Sequence, residues 1–254
     1  MNPKMLISDI ADFMEVSTGR LHQIISKRNI PVEKESNRIY INFEGAKVLF
    51  KKPFDKKIIS FQTVKGGVGK TTLCHSIGTR ASLYGAKILF VDIDQQANLT
   101  GTLIRNDSDL LGDKCIKKVI DNTMSINDII VPVCKGIDLI PSNIKNAIID
   151  KLIMIETLPI DKVLKKELDK IRKDYDFIII DCPPSLNILT VNALAVSNSV
   201  IIPTQCEYYA LEGLTALLET IDKIKISVNE SLKIGGILRT MYDPRNNLAQ
   251  DVSE

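Results

Sequence analysis

Residues 65 to 72 read Lys-Gly-Gly-Val-Gly-Lys-Thr-Thr, and the chemistry of that run is phosphate binding. Glycines 66, 67 and 69 let backbone N–H groups turn inward on a polyphosphate, where bulkier side chains would obstruct them. The run closes as Gly69-Lys70-Thr71, the end of a Gly-x-x-x-x-Gly-Lys-Thr phosphate loop, with Val64 in the place of the first glycine. Lys70 is then the cation for the β- and γ-phosphates, and the Thr71 hydroxyl is a ligand for Mg²⁺. Gly66, Gly67, Val68, Gly69 and Thr72 complete the expected cradle. Lys65 is the departure, because an ordinary loop already has its cation in Lys70.

Two acidic sites follow. The run Val91-Asp92-Ile93-Asp94-Gln95-Gln96-Ala97-Asn98 puts two acids two residues apart at a strand's carboxyl end. They face the same way only while the strand continues, so their roles can differ. Tyr175-Asp176-Phe177-Ile178-Ile179-Ile180-Asp181-Cys182-Pro183-Pro184-Ser185 ends four apolar residues on an acid. This is the pattern of a buried strand whose Asp181 holds a metal-bound water opposite Thr71. Cys182 reads as a small buried filler.

These groups need a scaffold. From Ile58 onward, β-branched runs at 58–63, 87–92, 137–140, 177–181, 199–203 and 234–240 alternate with helical stretches, including one over 71–84. That alternation predicts an α/β fold, a mostly parallel sheet flanked by helices. Residues 1–50 read differently. Ile7 to Phe13 and Arg20 to Arg28 have helical periodicity, with Ser17 or Thr18 as N-cap of the second helix. Ile10, Ala11, Met14, Val16, Leu21 and Ile24 would pack the pair as a helix-turn-helix. Residues 29–42 would form a two-stranded wing, and 51–57 a basic linker to the domain at 58–254. On the second helix Arg20, Gln23, Lys27 and Arg28 lie on the exposed side, where Arg20 or Gln23 could read base edges while the lysines meet phosphate.

Composition constrains partners little. The 254 residues are 44% hydrophobic and 25% charged, with net charge +2. Residues 1–57 hold eleven Lys and Arg against seven Asp and Glu, a modestly basic head that fits nucleic-acid contact. Five cysteines without a Cys-x-x-Cys pair, beside two histidines, argue against zinc and a disulfide framework and for reduced, cytoplasmic thiols. The apolar runs are too short to span a bilayer, so no membrane association is expected.

The octapeptide at 65–72 resembles the deviant Walker A motif of the ParA/MinD family of ATPases. The segments Asp92 to Asn98, Asp181 to Ser185, Ile202 to Leu214 and Gly235 to Arg245 are similar to its Soj/ParA branch. The resemblance implies ATP and Mg²⁺ as cofactors and slow, partner-stimulated hydrolysis. It also implies an ATP-dependent homodimer, DNA binding, a ParB-type partner and a cytoplasmic, nucleoid-associated life in plasmid or chromosome partition. It assigns Lys65 to the partner subunit's nucleotide, Asp94 to the attacking water, Asp92 to Mg²⁺ or the switch, and Arg245 to DNA. Residues 1–50 resemble the winged head of MerR-like regulators, which adds possible repression of the protein's own operon. Three departures stand out: Gln95 replaces the family's proline, Glu15 replaces a usual turn glycine, and residues 248–254 end before the family's last strand and helix.

Overall fold

The structure is a computed structural model and describes residues 3–51, 53–104, 111–155, 162–243 and 245. Among these residues the chain forms two sheets. The smaller one comprises β1 (Lys4–Leu6), β2 (Glu33–Glu35) and β3 (Arg38–Asn42), ordered β1-β3-β2 and antiparallel throughout. Packed with it are α1 (Ile7–Phe13), α2 (Thr18–Lys27) and α3 (Phe43–Phe50).

The larger sheet comprises β4 (Lys57–Phe61), β5 (Ile88–Asp92), β6 (Val131–Cys134), β7 (Ile137–Ile140), β8 (Phe177–Asp181), β9 (Ser199–Gln205) and β10 (Lys233–Thr240). Their order is β10-β9-β4-β8-β5-β7-β6. The six expected strands are parallel to one another, and β6 is an antiparallel edge strand beside β7 that the sequence reading did not include. Strand β4 ends at Phe61 rather than residue 63, because the chain leaves the sheet to enter the phosphate loop.

Strand alternation divides the core between the two faces. Leu89, Val91, Ile178 and Ile180 point to the face covered by the helices Ile116–Ile120, Ile149–Ile155, Val163–Ile171 and Ile188–Val196. Ile88, Phe90 and Ile179 point to the other, where α4 (Lys70–Leu83) and α5 (Asn98–Leu103) lie. Helix α4 approaches closely: a Cβ on Gly78 would stand 2.3 Å from the Phe90 ring. The sheet thereby fixes the helix that begins at the phosphate loop.

In the head, Ser17 caps α2 by accepting the Arg20 N–H at 3.2 Å. Ile10, Ala11, Leu21, Ile30, Ile41 and Leu49 form its buried core. Glu15 takes a left-handed conformation, φ +54°, which is the reason a glycine is usual there. Within the expected wing at 29–42 the first strand is Glu33–Glu35, and Ile30 is drawn into the core. Strand β1 and helix α3 are additions to the expected helix pair and wing. The presumed linker is anchored: Phe54 packs edge-on to Phe177, with centroids 5.7 Å apart. Head and body also meet directly, through Phe13 and Phe50 against Tyr84 at the end of α4. The expectation that the family's last strand and helix are missing concerns residues 248–254, which lie outside the described residues.

Candidate functional site

Between β4 and α4 the backbone takes left-handed turns at Gly67 (φ +76°) and Gly69 (φ +82°). A Cβ on Gly66 or Gly67 would meet nothing within 4 Å, so this stretch lines open space. That space is a cleft of about 570 Å³ bounded by Lys65, Gly66, Gly67, Gly69, Lys70, Thr71 and Thr72 on one side. Asp94, Gln96, Asn98, Thr102, Pro184 and Met241 bound the rest. The first amides of α4 face it, adding the favourable end of the helix dipole for an anion. Val68 turns its side chain inward and is 2% exposed, so only its backbone can serve a ligand.

The cleft floor is an ion pair. Lys70 Nζ donates to Asp181 Oδ1 at 2.5 Å, and Thr71 Oγ1 donates to Asp181 Oδ2 at 2.7 Å. Burial alone would lower the Lys70 pKa, but the charge and hydrogen bond of Asp181 outweigh it and the net shift is upward. Thr71 and Asp181 thus stand together at the end of β8, as a Mg²⁺ site requires: a hydroxyl and a carboxylate, both hard oxygen donors. The residues fit a nucleotide triphosphate with its cation.

Asp92 and Asp94 differ in their hydrogen-bond partners. Asp92 is fully buried; its Oδ1 accepts Asp94 N–H at 3.1 Å, and Oδ2 accepts Thr100 N–H at 2.9 Å and Thr100 Oγ1–H at 2.7 Å. Burial, followed by the nearby Asp181 charge, raises its pKa to about 7 against the pull of those bonds. Both carboxylate oxygens of Asp92 are thus engaged by Asp94 and Thr100. Asp94 faces the cleft. Its Oδ1 accepts Gln96 N–H at 3.0 Å, and Oδ2 has no protein partner among the described residues. Without the family's proline at 95, hydrogen bonds hold this loop. Ser142 Oγ donates to Asp94 O at 2.6 Å, and Asn146 Nδ2 donates to Ser142 Oγ at 2.8 Å.

Lys65, at the cleft mouth, donates to Gln205 Oε1 at 3.0 Å and pairs with the Glu207 carboxylate. The head residues lie apart from this cluster. Arg20, Gln23, Lys27 and Arg28 are all exposed, as expected. Arg20 Nη1 donates to Gln23 Oε1 at 3.2 Å, whereas Arg28 Nη1 donates to Leu49 O at 3.3 Å and so braces α2 against α3. Arg245 is highly exposed but forms a forked pair with Asp243, at 3.0 and 2.8 Å.

The AAA-domain family pattern matches residues 56–234. Sporulation initiation inhibitor protein Soj of Bacillus subtilis is 42% identical over 199 residues, covering 78% of this chain and 78% of Soj. The chain belongs to the Soj/ParA family of ATPases. Chromosome-partitioning ATPase Soj of Treponema pallidum is 43% identical over 201 residues, covering 77% of this chain and 76% of that protein. Among solved structures, cobyrinic acid a,c-diamide synthase from Mycobacterium smegmatis with bound ADP and magnesium superposes with TM-score 0.71 at 35% identity. That match covers 78% of this chain and 80% of the synthase. A putative plasmid partition protein from Borrelia burgdorferi bound to AMPPNP gives TM-score 0.67 at 28% identity, over 78% and 81% of the two chains. The family pattern begins at residue 56, so the head lies outside it.

In this Soj/ParA chain several functional positions escaped sequence reasoning. Thr100, Ser142 and Asn146 hold the Asp94 loop, and Gln205 with Glu207 hold Lys65. Thr100 follows Asp92 by eight residues, and Ser142 lies two residues past the carboxyl end of β7, a position where α/β sheets gather ligand groups. The partners of Lys65 lie 140 and 142 residues away, and no local signal links them.

Proposed function

We propose that this chain is a Mg²⁺-dependent ATPase of DNA partition that dimerises on ATP and is reset by hydrolysis. The observation that carries this reading is a phosphate cradle with two lysines, one on its floor and one at its mouth, facing Asp94 across the same cleft. The glycine-loop amides bind the phosphates, and Lys70 turns from Asp181 to neutralise them. Thr71 and Asp181 would hold Mg²⁺, which offsets charge on the β- and γ-phosphate oxygens when bound. Asp94 orients the attacking water through its unpartnered oxygen. Lys65 reaches the nucleotide of the second subunit, so ATP joins the two protomers. Relatives named for chromosome and plasmid partition support the biological setting.

In this reading α2 of the head binds operator DNA through Arg20, Gln23 and Lys27, with Arg28 at the helix end, and represses the protein's own operon. Arg245 adds non-specific DNA contact, and a basic ParB-type partner stimulates turnover in a nucleoid-associated, cytoplasmic setting. No helix among the described residues is long and apolar enough to cross a membrane. One contact favours a second reading, a nucleotide-switched transcription regulator. The head rests on Tyr84, at the far end of the helix that starts at the phosphate loop.

The test is light scattering with a non-hydrolysable ATP analogue, alongside operator binding. Lys70→Ala should abolish analogue binding, while Lys65→Ala should bind the analogue and stay monomeric. Arg20→Ala with Lys27→Ala should weaken operator binding and leave ATP turnover unchanged. An analogue-bound wild type that is monomeric at all concentrations overturns the partition reading.

A further inference from the structure

Lys65 has a partner in its own chain, and that partner has no other assignment. Its Nζ makes an ion pair with Glu207 and donates to Gln205 Oε1 at 3.0 Å. Both acceptors stand at or just past the carboxyl end of β9, the strand beside β4. Gln205 is itself held, its Nε2 lying 2.8 Å from Met241 Sδ on the cleft wall. The ammonium is therefore drawn sideways along the end of the sheet.

The geometry points to Glu207 as a latch that holds Lys65 within its own subunit until a second ATP-loaded copy arrives. This rests on the dimer reading above, and it adds a regulatory residue to the same site. The physical logic is competition for one cation. A lysine paired with Glu207 has satisfied its charge locally, so insertion into the partner's site must first break that pair. A triphosphate with several negative charges competes for the lysine far better than one carboxylate does, and an empty site offers no competitor. The latch therefore costs the same in either case, and only a dimer with nucleotide offsets that cost.

Its strength follows from exposure. The Lys65 and Glu207 side chains are 43% and 49% exposed, so water screens the pair. Exposed pairs of this kind bias an equilibrium by up to about fivefold. A symmetric dimer breaks two of them, so releasing both should tighten dimerisation by roughly two- to thirtyfold.

The experiment uses the full chain with Glu207→Gln, which removes charge at constant size, and Glu207→Ala, which removes the acceptor altogether. Sedimentation equilibrium with the non-hydrolysable analogue reads the dimer constant. Competitive acetylation with mass spectrometry reads the accessibility of the Lys65 amine in the nucleotide-free monomer. The latch predicts a dimer constant tighter by two- to thirtyfold in both variants, with faster Lys65 labelling. Unchanged or weaker dimers beside a wild type that does dimerise overturn the latch and leave the dimer reading intact. If wild type and variants are all monomeric with analogue bound, the dimer reading fails, and the latch has nothing to gate whatever the labelling shows. Unchanged labelling overturns the latch in every case.

Discussion

Replacing Lys70 by methionine should damage the fold as well as the site. Lys70 is the counter-ion of Asp181, whose carboxylate is fully buried at the end of β8. Methionine keeps the aliphatic stem and removes the charge, leaving Thr71 as the one remaining hydrogen-bond donor to that carboxylate among the described residues. Breaking a buried pair in this way costs about 3–5 kcal/mol. In a chain of this size each kcal/mol moves the melting temperature by about 2–4 °C, so a fall of roughly 6–20 °C is expected. The assay is thermal and urea unfolding of nucleotide-free protein, followed by circular dichroism. The cost also has a pH signature. Without its counter-ion, Asp181 has a folded-state pKa further above its unfolded value. Between the two values the folded state holds a proton that the unfolded state releases, so stability falls as pH rises. The deficit should therefore grow as pH rises above the ordinary carboxylate range. Pairing Lys70→Met with Asp181→Asn removes the orphaned charge and should restore part of the loss, a coupling on the order of 1–3 kcal/mol. A melting temperature within 2 °C of wild type (about 1 kcal/mol or less), or strictly additive effects of the two changes, would refute the reasoning.

Three further outcomes are expected. Asp94→Ala should lower phosphate release by about 100-fold or more while the ATP-dependent dimer persists in light scattering, since water is no longer oriented but the nucleotide still docks. Asp92 has a folded pKa of about 7 against an ordinary 3.8, so stability should decline from pH 4 toward pH 7 by up to about 1.4 kcal/mol per pH unit from this group. Asp92→Asn should flatten that slope in urea midpoints measured at pH 5, 6 and 7. Gly85 sits at φ +90° with a would-be Cβ 2.8 Å from the Lys47 backbone, so Gly85→Ala should cost more than about 1 kcal/mol and speed proteolysis within 51–57 as the head loosens from the body.

Residue order alone determined the phosphate cradle, because its function is local: eight consecutive residues supply the turns, the amides and both lysines. It also determined the six parallel strands, since runs such as Ile178 to Ile180 carry their β-propensity and burial in their own composition. The antiparallel strand Val131–Cys134 was missed, being four residues with a proline and little alternation. Only the tertiary structure decided the different surroundings of Asp92 and Asp94. One turns to the loop's own N–H groups and to Thr100, the other to the cleft, and that choice depends on where β5 ends relative to α5. The partners of Lys65 were likewise invisible, because β9 comes beside β4 only once the sheet has assembled in the order β10-β9-β4-β8. Short-range chemistry is written in neighbouring residues, whereas a charge pair across 142 positions exists only after hydrophobic burial has brought two strand ends together.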